Sequence, residues 1–258
     1  MKMHNGRIAI VTGASRARGI GAAICHALTQ LNMNIFFTYW EAHDKSLYGQ
    51  EAQGYCKLLS DLRKTGVRCE CIEVDLSRPE AAKQIMDAVE TRLGPASILI
   101  NNAAHDDTNA PFDQLTAEIL DTYYAVNMRG TMLLSIEFAK RFSRTTTSGR
   151  IINLTSGQGV AAMPGKIPYI ATKGAIEAFT VTLAAEVASR GITVNAVDPG
   201  PTDTGWISAD PETKKALLEH APFGRVGEPE DAARLIAFLA SDDAAWITGQ
   251  IMHSRGGF

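Results

Sequence analysis

The sequence predicts an α/β protein built on a doubly wound, mainly parallel sheet with helices on both faces. Three observations carry that expectation. Seven strand-like apolar runs recur along the 258 residues, separated for the most part by stretches with helical spacing. Strands alternating with helices build βαβ units, and right-handed crossovers then wind the sheet in both directions. The first run closes in a glycine-rich turn that opens a helix. Finally, no Pro/Gly/Ser-rich linker or charge run divides the chain, so residues 1–258 read as one domain.

The strands are expected at residues 7–12, 34–39, 68–74, 97–101, 149–155, 193–198 and 249–253. Most are runs such as Ile8-Ala9-Ile10-Val11 and Ile98-Leu99-Ile100, apolar on both faces as a covered parallel sheet requires. Residues 68–74 instead alternate, which puts Cys69 and Cys71 on one sheet face as small apolar groups. Helical spacing covers residues 21–31, 51–65, 79–93, 116–142, 169–190 and 228–240, with Pro168 opening the fifth of these. Thr145-Thr146-Thr147-Ser148 reads as an exposed loop before a strand.

A net charge of −3 and a pI near 6.1, without a basic block, argue against nucleic acid as the partner. No run approaches the roughly 18 apolar residues of a membrane span; Leu235 to Ala240 is among the longest. Met1 to Arg7 lacks the apolar segment of a signal peptide, so a cytoplasmic protein is expected. Cys69-Glu70-Cys71 has no further Cys/His cluster to complete a metal site, so no metal is expected.

Chemistry enters at Thr12-Gly13-Ala14-Ser15-Arg16-Ala17-Arg18-Gly19-Ile20-Gly21. Glycines there let the backbone approach a pyrophosphate, and the helix N-terminus supplies N–H donors with partial positive charge. Ser156 ends the fifth strand run, and Tyr169-Ile170-Ala171-Thr172-Lys173 follows. Tyr169 and Lys173, at i and i+4, share a helix face. A phenol ionises near pH 10, so it transfers protons poorly at neutrality. An ammonium one turn away favours phenolate; lowering the pKa by about 3 units corresponds to roughly 4 kcal/mol.

Taken together, the glycine turn, Val74-Asp75-Leu76, Asn101-Asn102-Ala103-Ala104, Asn127, Ser156, Tyr-x-x-x-Lys and Pro199-Gly200 resemble the short-chain dehydrogenase/reductase family over essentially the whole chain. Length, pattern and the tail Ile247-Thr248-Gly249-Gln250 with Gly256-Gly257 are most similar to its 3-oxoacyl-[acyl-carrier-protein] reductase branch. The resemblance implies a Rossmann-type fold and interconversion of a ketone and a secondary alcohol. It implies that Tyr169 moves the proton, Lys173 holds the nicotinamide ribose and lowers the Tyr169 pKa, and Ser156 fixes the substrate oxygen. Asn127 would kink a helix and hold a relay water. Three residues separate Tyr169 from Lys173, whereas the enoyl reductase branch has a wider spacing, which favours a carbonyl reductase.

The remaining matched positions bind the coenzyme by the same resemblance: Gly13, Ser15, Gly19, Ile20 and Gly21 in the turn, Asp75 and Leu76 at the adenine, and Asn102, Ala103 and Ala104 at the ribose. Pro199, Gly200, Thr202 and Thr204 would meet the carboxamide and pyrophosphate. NAD enzymes usually end the second strand in an acid; here Tyr39 stands there, Trp40 follows, and Glu41 comes two positions on. Arg16 or Arg18 could pair with a 2′-phosphate, so NADP(H) is favoured over NAD(H). The family pattern is broken by a longer glycine turn and by Ala104, followed by His105, in place of glycine.

Specificity is expected in residues 205–224, where Trp206, Ile207, Leu217, Leu218 and Phe223 supply apolar side chains, with additions from 157–166 and 105–111. The partner is thus a small carbonyl or alcohol, a thioester among the options, with sugar, steroid or secondary-metabolite intermediates as the alternative. A non-catalytic nucleotide sensor is the remote alternative, and it would not require the Asn127, Ser156, Tyr169 and Lys173 set. Family members pair the Tyr169 helix with the long helix before it across subunits, which implies a homo-oligomer, dimer or tetramer.

Overall fold

The computed structural model describes residues 6–48, 54–107, 110–143 and 148–258. Its seven strands are β1 (Ile8–Val11), β2 (Asn34–Tyr39), β3 (Cys69–Glu73), β4 (Ile98–Asn101), β5 (Gly149–Leu154), β6 (Ile192–Asp198) and β7 (Ile251–His253). They form one sheet in the order β3-β2-β1-β4-β5-β6-β7, every pair parallel. Ala9 pairs with Ile35 on one side and Ile98 on the other. The chain therefore reverses its winding between β1 and β4. At such a switch point, the crevice beyond the strands' carboxyl ends is the place where ligands bind.

Side-chain alternation along β1 divides the core. Ala9 and Val11 face one layer, with α1 (Ile20–Thr29), α3 (Gly54–Arg63) and α10 (Pro229–Ala240). Ile8 and Ile10 face the other, with α4 (Ala81–Arg92), α6 (Thr131–Arg141) and α7 (Ile167–Val187). Cys69 is buried in the first layer and Cys71 packs on it, so the two thiols share a face as expected; all four cysteines are free.

The strands match their sequence patterns closely, while several helices are cut differently. α2 (Glu41–Tyr48) and the pair α8 (Trp206–Ala209) and α9 (Pro211–Glu219) were not anticipated. The long helix expected over 116–142 becomes α5 (Ala117–Tyr123), a π-helical segment (Tyr124–Gly130), and α6. π-turns of this kind interrupt the regular ladder and cluster at functional sites, and Asn127 lies at the centre of this one. The start of the helix expected from residue 51, the loop at 145–147 and Met1 to Asn5 fall outside the described residues. Among the described residues no helix is long and apolar enough to cross a membrane.

Candidate active site

β1 delivers the chain into a turn that tolerates no side chains at two of its glycines. Gly13 has φ +67, and a Cβ on it would stand 2.8 Å from the Ala103 Cα. A Cβ on Gly21 would stand 2.6 Å from the Gly13 carbonyl oxygen. Thr12 and Asn102 fasten this contact. The Thr12 hydroxyl accepts from the backbone N–H groups of Asn102 (3.1 Å) and Ala103 (3.0 Å), while Asn102 Nδ2 donates to the Thr12 and Gly13 carbonyls, both at 2.9 Å. Gly19 caps α1 without a side-chain hydrogen bond, so the positive end of that helix opens onto the crevice.

The crevice is a cleft of about 290 Å³. Gly13, Ser15, Arg16, Gly19, Ile20 and Gly21 form one wall. Tyr39 and Trp40 close the end beside β2; Tyr39 stacks on Tyr55 at 3.8 Å between ring centres, and Trp40 on His43 at 5.6 Å. Leu76, Asn102, Ala103 and Ala104 line the cleft beside the glycine turn, and Pro199 and Thr204 also contribute. Arg16 reaches across to donate to the Thr204 carbonyl at 2.8 Å. Glu41 turns away from the cleft to Lys45, 2.9 Å off.

Four expected coenzyme residues lie outside the lining. Arg18 is exposed and faces Asp203 at 3.9 Å. Asp75 accepts from the Ser77 N–H (2.9 Å) and faces Arg78. The Thr202 hydroxyl donates to the Pro199 and Gly200 carbonyls, and Gly200 backs onto Arg255. These residues shape the loops around the cleft. Conversely, Thr38, His43, Asp44, Val74, Val126 and Thr155 line it without having been foreseen. Thr38, Val74 and Thr155 adjoin strand ends, which was a usable signal; α2, which carries His43 and Asp44, had none. Burial raises the Asp44 carboxyl, against hydrogen bonding to Ser15. No metal cluster was expected either, yet His43, His105 and Asp107 converge.

At the other end of the cleft, α7 aims Tyr169 and Lys173 at the end of β5. Lys173 is buried, and its Nζ donates to the Leu154 carbonyl at 2.8 Å. Burial lowers its pKa to about 8, with the Asp106 charge opposing. The Tyr169 phenol is pushed above its ordinary value, chiefly by burial and then by the Asp106 charge, against a hydrogen bond with Ser156. The expected depression of the phenol is therefore reversed in this structure, where burial is the largest cause and the Asp106 charge adds to it. Asn127 is buried and accepts from the His105 N–H (2.6 Å); its Nδ2 donates to the His105 carbonyl (3.0 Å) and to Thr172 Oγ1 (3.2 Å). Thr172 in turn donates to the Tyr169 carbonyl (2.8 Å), which ties the π-helical segment to α7. Of the four expected catalytic residues, Tyr169 and Lys173 line the cleft, while Ser156 reaches Tyr169 by a hydrogen bond and Asn127 reaches it through Thr172.

Residues 13–258 match a family model described as enoyl-(acyl carrier protein) reductase. Over 253 residues the chain is 50% identical to the uncharacterized oxidoreductase YjdA of Bacillus subtilis, covering 98% of this chain and 96% of that one. It is 36% identical to a 3-oxoacyl-[acyl-carrier-protein] reductase of Staphylococcus epidermidis, with 96% and 97% covered. A short-chain dehydrogenase of Burkholderia cenocepacia, solved in complex with NADP, superposes with a TM-score of 0.88 at 30% identity, covering 99% of both chains.

Proposed function

This chain belongs to the short-chain dehydrogenase/reductase family, and from that premise we propose that it reduces a ketone to a secondary alcohol with NADPH, most like a 3-oxoacyl-thioester reductase. The carrying observation is that Tyr169 and Lys173 line a glycine-walled cleft, with Ser156 hydrogen-bonded to Tyr169. The wall fits a dinucleotide, because the two positions where a Cβ would collide, Gly13 and Gly21, leave backbone room for a pyrophosphate beside the α1 N-terminus. Arg16 supplies a cation on the cleft wall for a 2′-phosphate, and the acid typical of NAD enzymes is replaced at the end of β2 by Tyr39.

Bound NADPH supplies the hydride. Lys173 holds the nicotinamide ribose hydroxyls with its ammonium, and Asn102 to Ala104 support the adenosine ribose. Pro199 and Thr204 would hold the carboxamide. Ser156 Oγ donates to the substrate carbonyl oxygen and holds it in one orientation. Tyr169 Oη gives its proton to that oxygen as the alkoxide develops. A phenol held neutral by burial is a proton donor, the form that reduction uses. The close Tyr169–Lys173 spacing supports carbonyl over enoyl reduction.

Trp206 and Phe223 lie exposed on the segment after Pro199-Gly200, suiting an apolar chain, whereas Ile207 is buried. A second reading, a more polar carbonyl substrate such as a sugar derivative, is favoured by the Asp106–Lys166 ion pair (2.7 Å), whose acid acts on both Tyr169 and Lys173. Ile136 on α6 and Val181 on α7 are exposed, consistent with the pairing of copies that the family resemblance implies.

The test is NADPH oxidation by the purified protein with an acetoacetyl thioester, beside NADH and a panel of non-thioester ketones. NADPH-dependent thioester turnover is expected. Turnover only with other ketones would replace the substrate class, and NADPH binding without turnover on any carbonyl would overturn the enzymatic reading.

A further inference from the structure

His43 on α2 and His105 and Asp107 after β4 come from distant parts of the sequence, yet their ligand atoms all lie within 4.8 Å of one another. Asp107 Oδ2 stands 3.3 Å from His43 Nδ1 and 3.2 Å from His105 Nδ1. A tetrahedral ion with ligand bonds of about 2.0–2.1 Å places neighbouring donor atoms roughly 3.3 Å apart. Both separations match that edge.

The rings are also held in place. His43 stacks on Trp40 with an interplanar angle of 2°, and His105 meets Tyr123 edge-on at 4.7 Å between ring centres. The His105 backbone is fixed on both sides by Asn127. Two imidazoles and one carboxylate suit a borderline-soft divalent ion better than magnesium or calcium, and three protein ligands leave a fourth position open.

We propose that His43, His105 and Asp107 form a site for a divalent transition metal of the zinc or cobalt type, tying α2 to the segment after β4 across the mouth of the cleft. The site stands independently of the substrate reading, since its ligands include none of the proton-transfer residues. His43 and His105 line the cleft but Asp107 does not, so Asp107→Asn removes a ligand without altering the cleft wall.

The experiment titrates chelator-treated protein with Co²⁺, followed by visible ligand-field absorption, and with Zn²⁺ by calorimetry. One ion per chain is expected, with the absorption of a low-coordinate site. Asp107→Asn and His43→Asn should each weaken binding by at least about tenfold, with circular dichroism as the fold control. Zn²⁺ should raise the Tm of the wild type more than that of either variant. No stoichiometric binding by the wild type, or wild-type affinity in either variant, would overturn the proposal and leave Asp107 as a hydrogen-bond acceptor between two imidazoles.

Discussion

Lys173 Nζ lies 5.5 Å from the centre of the Tyr169 ring, one turn away on α7, and 2.8 Å from the Leu154 carbonyl at the end of β5. The helix thus sets the spacing between the two groups while the sheet grips the ammonium. Because strand and helix both hold the pair, little of its geometry is left for substrate binding to organise.

The pH dependence of coenzyme binding follows from Lys173. With its pKa lowered to about 8, the ammonium is lost as pH rises through that value, so NADPH affinity is expected to fall on the alkaline side. Fluorescence titration of NADPH between about pH 6.5 and 9.5 checks this. An affinity that is flat across the range would contradict it.

The same burial has a stability consequence of opposite sense. The unfolded chain binds the Lys173 proton more tightly than the folded one, so the residue destabilises the fold below about pH 8, and the penalty fades as pH climbs toward 10.5. Lys173→Met should therefore reduce kcat by about a hundredfold or more without lowering Tm. A sharp loss of Tm would instead make Lys173 a structural residue.

Arg16 lines the cleft and Arg18 does not. Losing a charge-assisted hydrogen bond costs about 1.5–3 kcal/mol, roughly ten- to a hundredfold in affinity. Arg16→Ala should raise the KM for NADPH by that factor and leave NADH little changed, while Arg18→Ala should have a small effect on both. Steady-state kinetics with the two coenzymes decides between them.

Gly21→Ala places a methyl against the Gly13 carbonyl, a backbone atom that can move only with its turn. A stability loss of about 1–3 kcal/mol is expected, together with weaker NADPH binding, because the turn that shifts is the coenzyme wall. Thermal melts with and without NADPH would show both effects.

The sheet was legible because most strand runs are short apolar segments and 68–74 alternates as a strand does, and β1 with its glycine turn located the switch point directly. The grouping of Ser156, Tyr169 and Lys173 was legible because they sit at strand-end and helix-turn positions that the family pattern specifies. α2 was not: its residues 41–48 are mostly polar, and its helicity shows in no apolar periodicity. The cleft residues His43 and Asp44 were lost with it. The phenol's direction of shift was misread for a related reason, since burial and the Asp106 charge arise from tertiary packing, whereas the i, i+4 spacing displays only Lys173.

Tyr169→Phe tests the central claim most directly, with NADPH binding and carbonyl reduction measured on the same preparation. Removing one hydroxyl should leave NADPH affinity within about twofold of the wild type and the Tm nearly unchanged, because such a small change at a half-buried position rarely moves stability far. Carbonyl reduction should fall by at least about a hundredfold, the scale of a lost general acid. Turnover near the wild-type rate would show that the proton comes from elsewhere and would contradict the assignment of Tyr169.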